Sequence, residues 1–123
     1  MAYLSEWNYN GIGDIILGHA YQVKVNQESV LEFDGDYTFP NEVSIVLPVG
    51  WSLLGYLRIN PADCVAVFEA ISSEIVLVKD YLGNAYLPNW NFNGIGNLFA
   101  GQGYQIKMNS SQVLQYNSNE AGY

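Results

Sequence analysis

Two short segments carry side chains that could recognise a sugar. Trp7-Asn8-Tyr9-Asn10 and Trp90-Asn91-Phe92-Asn93 each set two aromatic rings among two carboxamides. An exposed aromatic face stacks on the apolar face of a pyranose, and an amide can both donate to and accept from its hydroxyls. The same residues admit a packing role: a tryptophan that plugs one end of the core, with asparagines satisfying the backbone groups of a loop. The exchange of Tyr9 for Phe92 keeps the ring and drops the hydroxyl, which favours packing. The solvent exposure of Trp7 and Trp90 separates the two readings.

Both segments belong to a longer internal repeat. Tyr3 to Gly13 returns as Tyr86 to Gly96, Gly18 to Asn26 as Gly101 to Asn109, and Val30 to Phe33 as Val113 to Tyr116. The offset, from Trp7 to Trp90, is about 83 residues. The first copy (3–35) corresponds to the end of a unit whose complete form is 36–118; 86–118 is the second copy. Nothing before the first copy matches Val43 to Ala85. The chain thus reads as one compact domain, 1–123, holding one whole unit preceded by the tail of another. Repetition of this kind speaks of architecture before chemistry.

The acids and the histidine of the first copy are not shared with the second, although Lys24 is kept as Lys107. Glu6, Asp14, Glu28, Glu32 and Asp34 stand where the second copy has Asn89, Asn97, Ser111, Gln115 and Asn117, and His19 stands where it has Gln102. Calcium at Glu32, Asp34 and Asp36 would need a fuller loop pattern than this spacing offers. Cys64 falls on the apolar face of a helical pattern, the setting of a packed thiol rather than a nucleophile. No Gly-x-Ser-x-Gly elbow is present. Gly11-Ile12-Gly13 and Gly94-Ile95-Gly96 lack the third spaced glycine of a dinucleotide fingerprint. The expectation is a protein that is not an enzyme, with no metal and no cofactor.

Composition narrows the partners. Of 123 residues, 50% are hydrophobic and 15% aromatic, so a real core is expected. Charged residues make up only 13%, about half the usual share. The net charge is −8, with only Lys24, Arg58, Lys79 and Lys107 as cations. So few cations argue against nucleic acid and against an anionic membrane surface. No apolar run reaches the roughly 20 residues of a membrane span. The first residues lack the charged and apolar regions of a signal peptide. One cysteine precludes an internal disulfide, so packing must supply the stability.

These side chains must be positioned by strands. Val43–Leu47 alternates in a β-rich pattern, and Trp51–Leu57 is apolar on both faces, which predicts a central strand. Asn60-Pro61-Ala62-Asp63 reads as a helix start, and Cys64, Val67, Phe68 and Ile71 share one face, predicting a helix over about 61–72. Glu74–Lys79 and Ala85–Leu87 form a hairpin across Asp80–Asn84. Gly103–Met108 and Gln112–Tyr116 follow as strands. In the first copy Tyr21–Val25 and Val30–Phe33 are their counterparts. The expected fold is mainly β, a β-sandwich or partly open β-barrel of about seven to nine strands with one short α-helix.

The run Gly50-Trp51-Ser52-Leu53-Leu54-Gly55-Tyr56, then Ile75–Asp80 with Gly83–Pro88, Asn93–Gly96 and Gly101–Met108 resembles a repeat module of large surface or secreted proteins of marine bacteria and related environmental sequences. The resemblance covers about Val43 to Tyr116, and its tail covers Tyr3 to Phe33. It implies a noncatalytic β-module for display, adhesion or scaffolding, and it implies no catalytic residues. The first copy departs from the pattern at Ser5, where the second has Pro88, and at Ala20, where it has Gly103.

Two functions are therefore expected in order. The first is a structural, adhesive or scaffolding module of a cell surface or virus particle, self-associating as a dimer or higher oligomer through unpaired strand edges. The alternative is a carbohydrate-binding module built on Trp7, Asn8, Tyr9, Asn10, Trp90, Asn91, Phe92 and Asn93, with a glycan as partner.

Overall fold

The computed structural model describes residues 1–32 and 34–123. The described chain is mainly β. Its strands are β1 (Tyr3–Leu4), β2 (Tyr9–Asn10), β3 (Ile45–Leu47), β4 (Gly50–Gly55), β5 (Ala62–Asp63), β6 (Ile75–Lys79), β7 (Ala85–Leu87), β8 (Phe92–Asn93), β9 (Asn97–Leu98), β10 (Gly103–Met108) and β11 (Gln112–Leu114). The principal sheet has the order β4-β10-β6-β7-β8, and its paired strands are antiparallel. β1-β2, β3-β11 and β5-β9 form three two-stranded pairs. The strand count exceeds the expected seven to nine because several pairs are only two residues long. Among the described residues no sheet closes into a barrel.

Alternation decides which face of each strand is buried. Tyr104, Ile106 and Met108 of β10 point into the core, and Gln105 and Lys107 point away from it. Leu54 of β4 and Val78 of β6 lie on the same inner side, while Ile45, Leu47 and Leu114 bring in the β3-β11 pair. The helical segment closes the core with Cys64, Val67, Phe68 and Ile71. Phe68 stacks on Tyr86 at 6.4 Å, and Tyr56 meets Tyr116 edge-on at 5.3 Å. Among the described residues the hydrophobic core runs from Ile45 to Tyr116, with the Pro40 side chain also buried, and no described residue of the first copy belongs to it.

Four expectations shift. The helix begins at Cys64, not Pro61: α1 runs Cys64–Phe68 and continues as a 3-10 helix over Glu69–Glu74. Ala62 and Asp63 are drawn into pairing with Leu98 and Asn97, and the Cys64 N–H donates to the Gly96 carbonyl at 2.9 Å, which fixes the start one turn later. β4 is an edge strand rather than a central one. Its outward face is apolar through Trp51 and Leu53, which imitates the pattern of a two-sided core strand. Tyr21–Val25 forms no strand, and neither do Val30, Leu31 and Glu32; Phe33 lies outside the described residues. These segments alternate correctly but lack a neighbouring strand to complete a ladder.

The first copy bonds to the sheet at its middle. His19 bridges Leu54, the Gly55 N–H donates to Gly18 O at 2.9 Å, and the Ala20 N–H donates to Leu53 O at 3.3 Å. Two glycines permit this approach. A Cβ on Gly55 would stand 3.0 Å from the His19 carbonyl oxygen, and one on Gly103 would stand 2.7 Å from the Ala20 Cβ.

Candidate functional site

The Trp-Asn loops are built alike in the two copies. Each follows a short strand with a 3-10 turn, Ser5–Trp7 or Pro88–Trp90, closed by an asparagine in the left-handed region at φ 50° (Asn8) or 51° (Asn91). The next asparagine ties the following turn: Asn10 Oδ1 accepts from the N–H groups of Ile12 and Gly13, at 3.2 and 2.9 Å. Asn93 Oδ1 accepts from those of Ile95 and Gly96, at 3.1 and 3.0 Å. The N–H of Gly11 donates to Ala2 O at 2.8 Å, and that of Gly94 donates to Ala85 O at 2.7 Å. The aromatic partners pack over the glycines, so that a Cβ on Gly11 would meet the Tyr9 ring and one on Gly94 the Phe92 ring. The match continues to a tyrosine hydroxyl that accepts from a loop N–H at 2.9 Å, Tyr21 from Ile16 and Tyr104 from Phe99.

The two alternatives for these loops divide residue by residue. Trp7 and Trp90 do not plug the core. They are 78% and 79% exposed, so the rings are free to meet a partner. The asparagines, by contrast, hold the loop together as the packing reading requires. Asn93 is also engaged through its amide nitrogen, which donates to Asp63 Oδ1 at 3.3 Å and lies 3.5 Å from Gly96 O. Tyr9 and Phe92 are about half-exposed and already rest on backbone. What each loop offers outward is chiefly a bare indole.

Cys64 is fully buried, and burial, assisted by Asp63, pushes its thiol up to about 12. A thiol held neutral in this way has no nucleophilic thiolate near neutral pH. Among the described residues no three His, Cys, Asp or Glu side chains converge as metal ligands. No helix among them is long and apolar enough to cross a membrane.

Two concavities lie elsewhere. One, of about 410 Å³, borders the C-terminal segment, where Arg58 is buried. Its guanidinium donates to Ala121 O at 2.6 Å, and its Cζ lies 4.9 Å from the centre of the Tyr123 ring, so it fastens that segment to the domain. The other, about 320 Å³, lies where Gln22 approaches the outward face of β4, β10 and β6. Trp51, Ser52, Leu53, Lys79 and Gln105 complete its lining. Sequence reasoning missed this second group. Its signal was Gln22 and Gln105, equivalent positions of the two copies, together with lysines on the outward parity of β6 and β10.

No known protein family, curated protein or solved structure matches this chain.

Proposed function

We propose that the protein is a noncatalytic scaffolding or adhesive β-module that assembles with a second copy of itself through its first-copy segment. One observation carries this reading: positions that are buried in the second copy are bare in the first. Ile106 is 0% exposed and its counterpart Val23 is 75% exposed; Leu114 is 4% exposed and its counterpart Leu31 is 78% exposed. Leu98 and Met108 are buried where Ile15 and Val25 are open. Large apolar side chains left bare in this number favour a contact surface.

The geometry limits the manner of assembly. β10 already fills the place between β4 and β6, so a partner's first copy cannot take that interior position. Apposition remains: the two first-copy segments meet around a two-fold axis, along the β4 edge beyond Leu53. Sedimentation velocity across a concentration series tests the reading. A concentration-dependent dimer or higher oligomer supports it, and a clean monomer at high concentration overturns it.

The exposure of Trp7 and Trp90 favours a second reading, a glycan-binding role for the paired loops. A neutral quencher should reach both indoles. On a glycan array, binding that disappears in Trp7→Ala and Trp90→Ala would support it, and an array without hits would remove it.

A further inference from the structure

Two of the four cations in this acidic chain gather around one tryptophan. Lys79 Nζ lies 5.7 Å and Lys107 Nζ 5.8 Å from the Trp51 ring centre. The sheet register makes this arrangement. Trp51 pairs directly with Lys107, Leu53 with Gln105, and Gln105 in turn with Lys79, so β4, β10 and β6 present these side chains on a common outward face. Trp51 is 51% exposed. The groove beside it takes Gln22 from the first copy and Gln105 from the second, and none of its lining residues is a carboxylate, although the chain has 12.

Each group suits one feature of a ligand. A half-exposed indole offers a flat apolar face to a sugar ring. Two carboxamides can donate to and accept from hydroxyls, which a purely cationic site cannot do. Two ammoniums near the ring favour an anionic substituent, since a lysine is a compact donor to carboxylate oxygen. The net charge of −8 acts against a densely charged polyanion at long range, leaving a ligand with one carboxylate per ring as the best match.

We propose that this groove binds an acidic saccharide, with a pyranose ring on Trp51, its carboxylate met by Lys79 and Lys107, and its hydroxyls bonded by Gln22 and Gln105. The site lies apart from the Trp7 and Trp90 loops and borders the β4 edge along which the first copies are proposed to meet. It sits where the two copies touch, which gives the repeat a second use: equivalent glutamines face one ligand from two sides.

The test is calorimetric titration of the whole chain with trigalacturonic acid, and with its methyl ester as the uncharged control. The acid should bind about tenfold more tightly than the ester, and added salt should narrow the gap. Lys79→Met with Lys107→Met should bring the acid to the level of the ester. Trp51→Ala should weaken both ligands by about tenfold or more, whereas Trp7→Ala and Trp90→Ala should leave both unchanged. The lysine variants alter only outward side chains, so they remain informative if Trp51→Ala perturbs the edge strand. Equal affinity for acid and ester, undiminished binding by either variant, or no binding of the acid at about 10 mM would overturn the proposal.

Discussion

Asn8 and Asn91 show why a repeat can preserve a polar residue without preserving a ligand. At φ 50° and 51° both occupy left-handed backbone, which asparagine tolerates and most side chains do not. Asn91→Ala should therefore cost about 1–2 kcal/mol in urea unfolding, while Asn91→Gly should cost almost nothing. Equal losses in the two variants would move the cost from the backbone to the amide. Cys64 makes a separate prediction. Burial pushes its thiol up from 9.0 to about 12 in the folded state. Below pH 9 both states keep the proton, and its contribution to stability is fully present. Above that the unfolded chain loses the proton first, so stability falls as pH rises towards 12. Tyr56, Tyr86, Tyr104 and Tyr116, all raised from 10.0 by burial, add to the fall at higher pH. The urea midpoint should decline from pH 9 upward, and Cys64→Ala should flatten the first part of that decline.

At the scale of elements, alternation was readable in both copies, but pairing was not. Tyr104-Ile106-Met108 and Tyr21-Val23-Val25 carry the same pattern, and only the former has strands on both sides. Periodicity says which face seeks burial; whether a neighbour exists depends on residues far away in the chain. The same limit explains β4, whose apolar outward face suggested a central place, and the Trp51 groove, which exists only through register between three strands. The loop residues were legible as a set because they recur, yet their exposure was not, since an indole serves equally in a core or on a surface. The contact between the first copy and the sheet can be probed at Gly55. A Cβ there would stand 3.0 Å from the His19 carbonyl, a backbone atom that cannot swing aside. Gly55→Ala should cost about 1–3 kcal/mol or detach the first copy. Limited proteolysis should then cut within residues 14–32 much faster than in the parent chain, and unchanged cleavage with unchanged stability would show that the contact is slack.

Across the whole molecule, the repeat supplies its own control for assembly. Val23 and Ile106 are equivalent in sequence and opposite in environment. A carboxylate at position 106 would be buried without a partner, so Ile106→Asp should cost about 4 kcal/mol or more and unfold much of the domain. Val23→Asp should leave unfolding of the monomer within about 0.5 kcal/mol of the parent, because that side chain already faces solvent. If apposed first copies form the contact, the same substitution should abolish the oligomer by placing two carboxylates in an apolar seam. Charge adds a second handle. The first copy and the residues just after it hold Glu6, Asp14, Glu28, Glu32, Asp34 and Asp36, so two such segments repel at low ionic strength. Salt screens that repulsion beyond about 10 Å at 0.1 M, and association should strengthen from low to moderate salt rather than weaken. Sedimentation of the parent and of Val23→Asp at two salt concentrations reads both effects together. An oligomer that survives Val23→Asp, or that dissolves as salt is added, would place the contact on another surface.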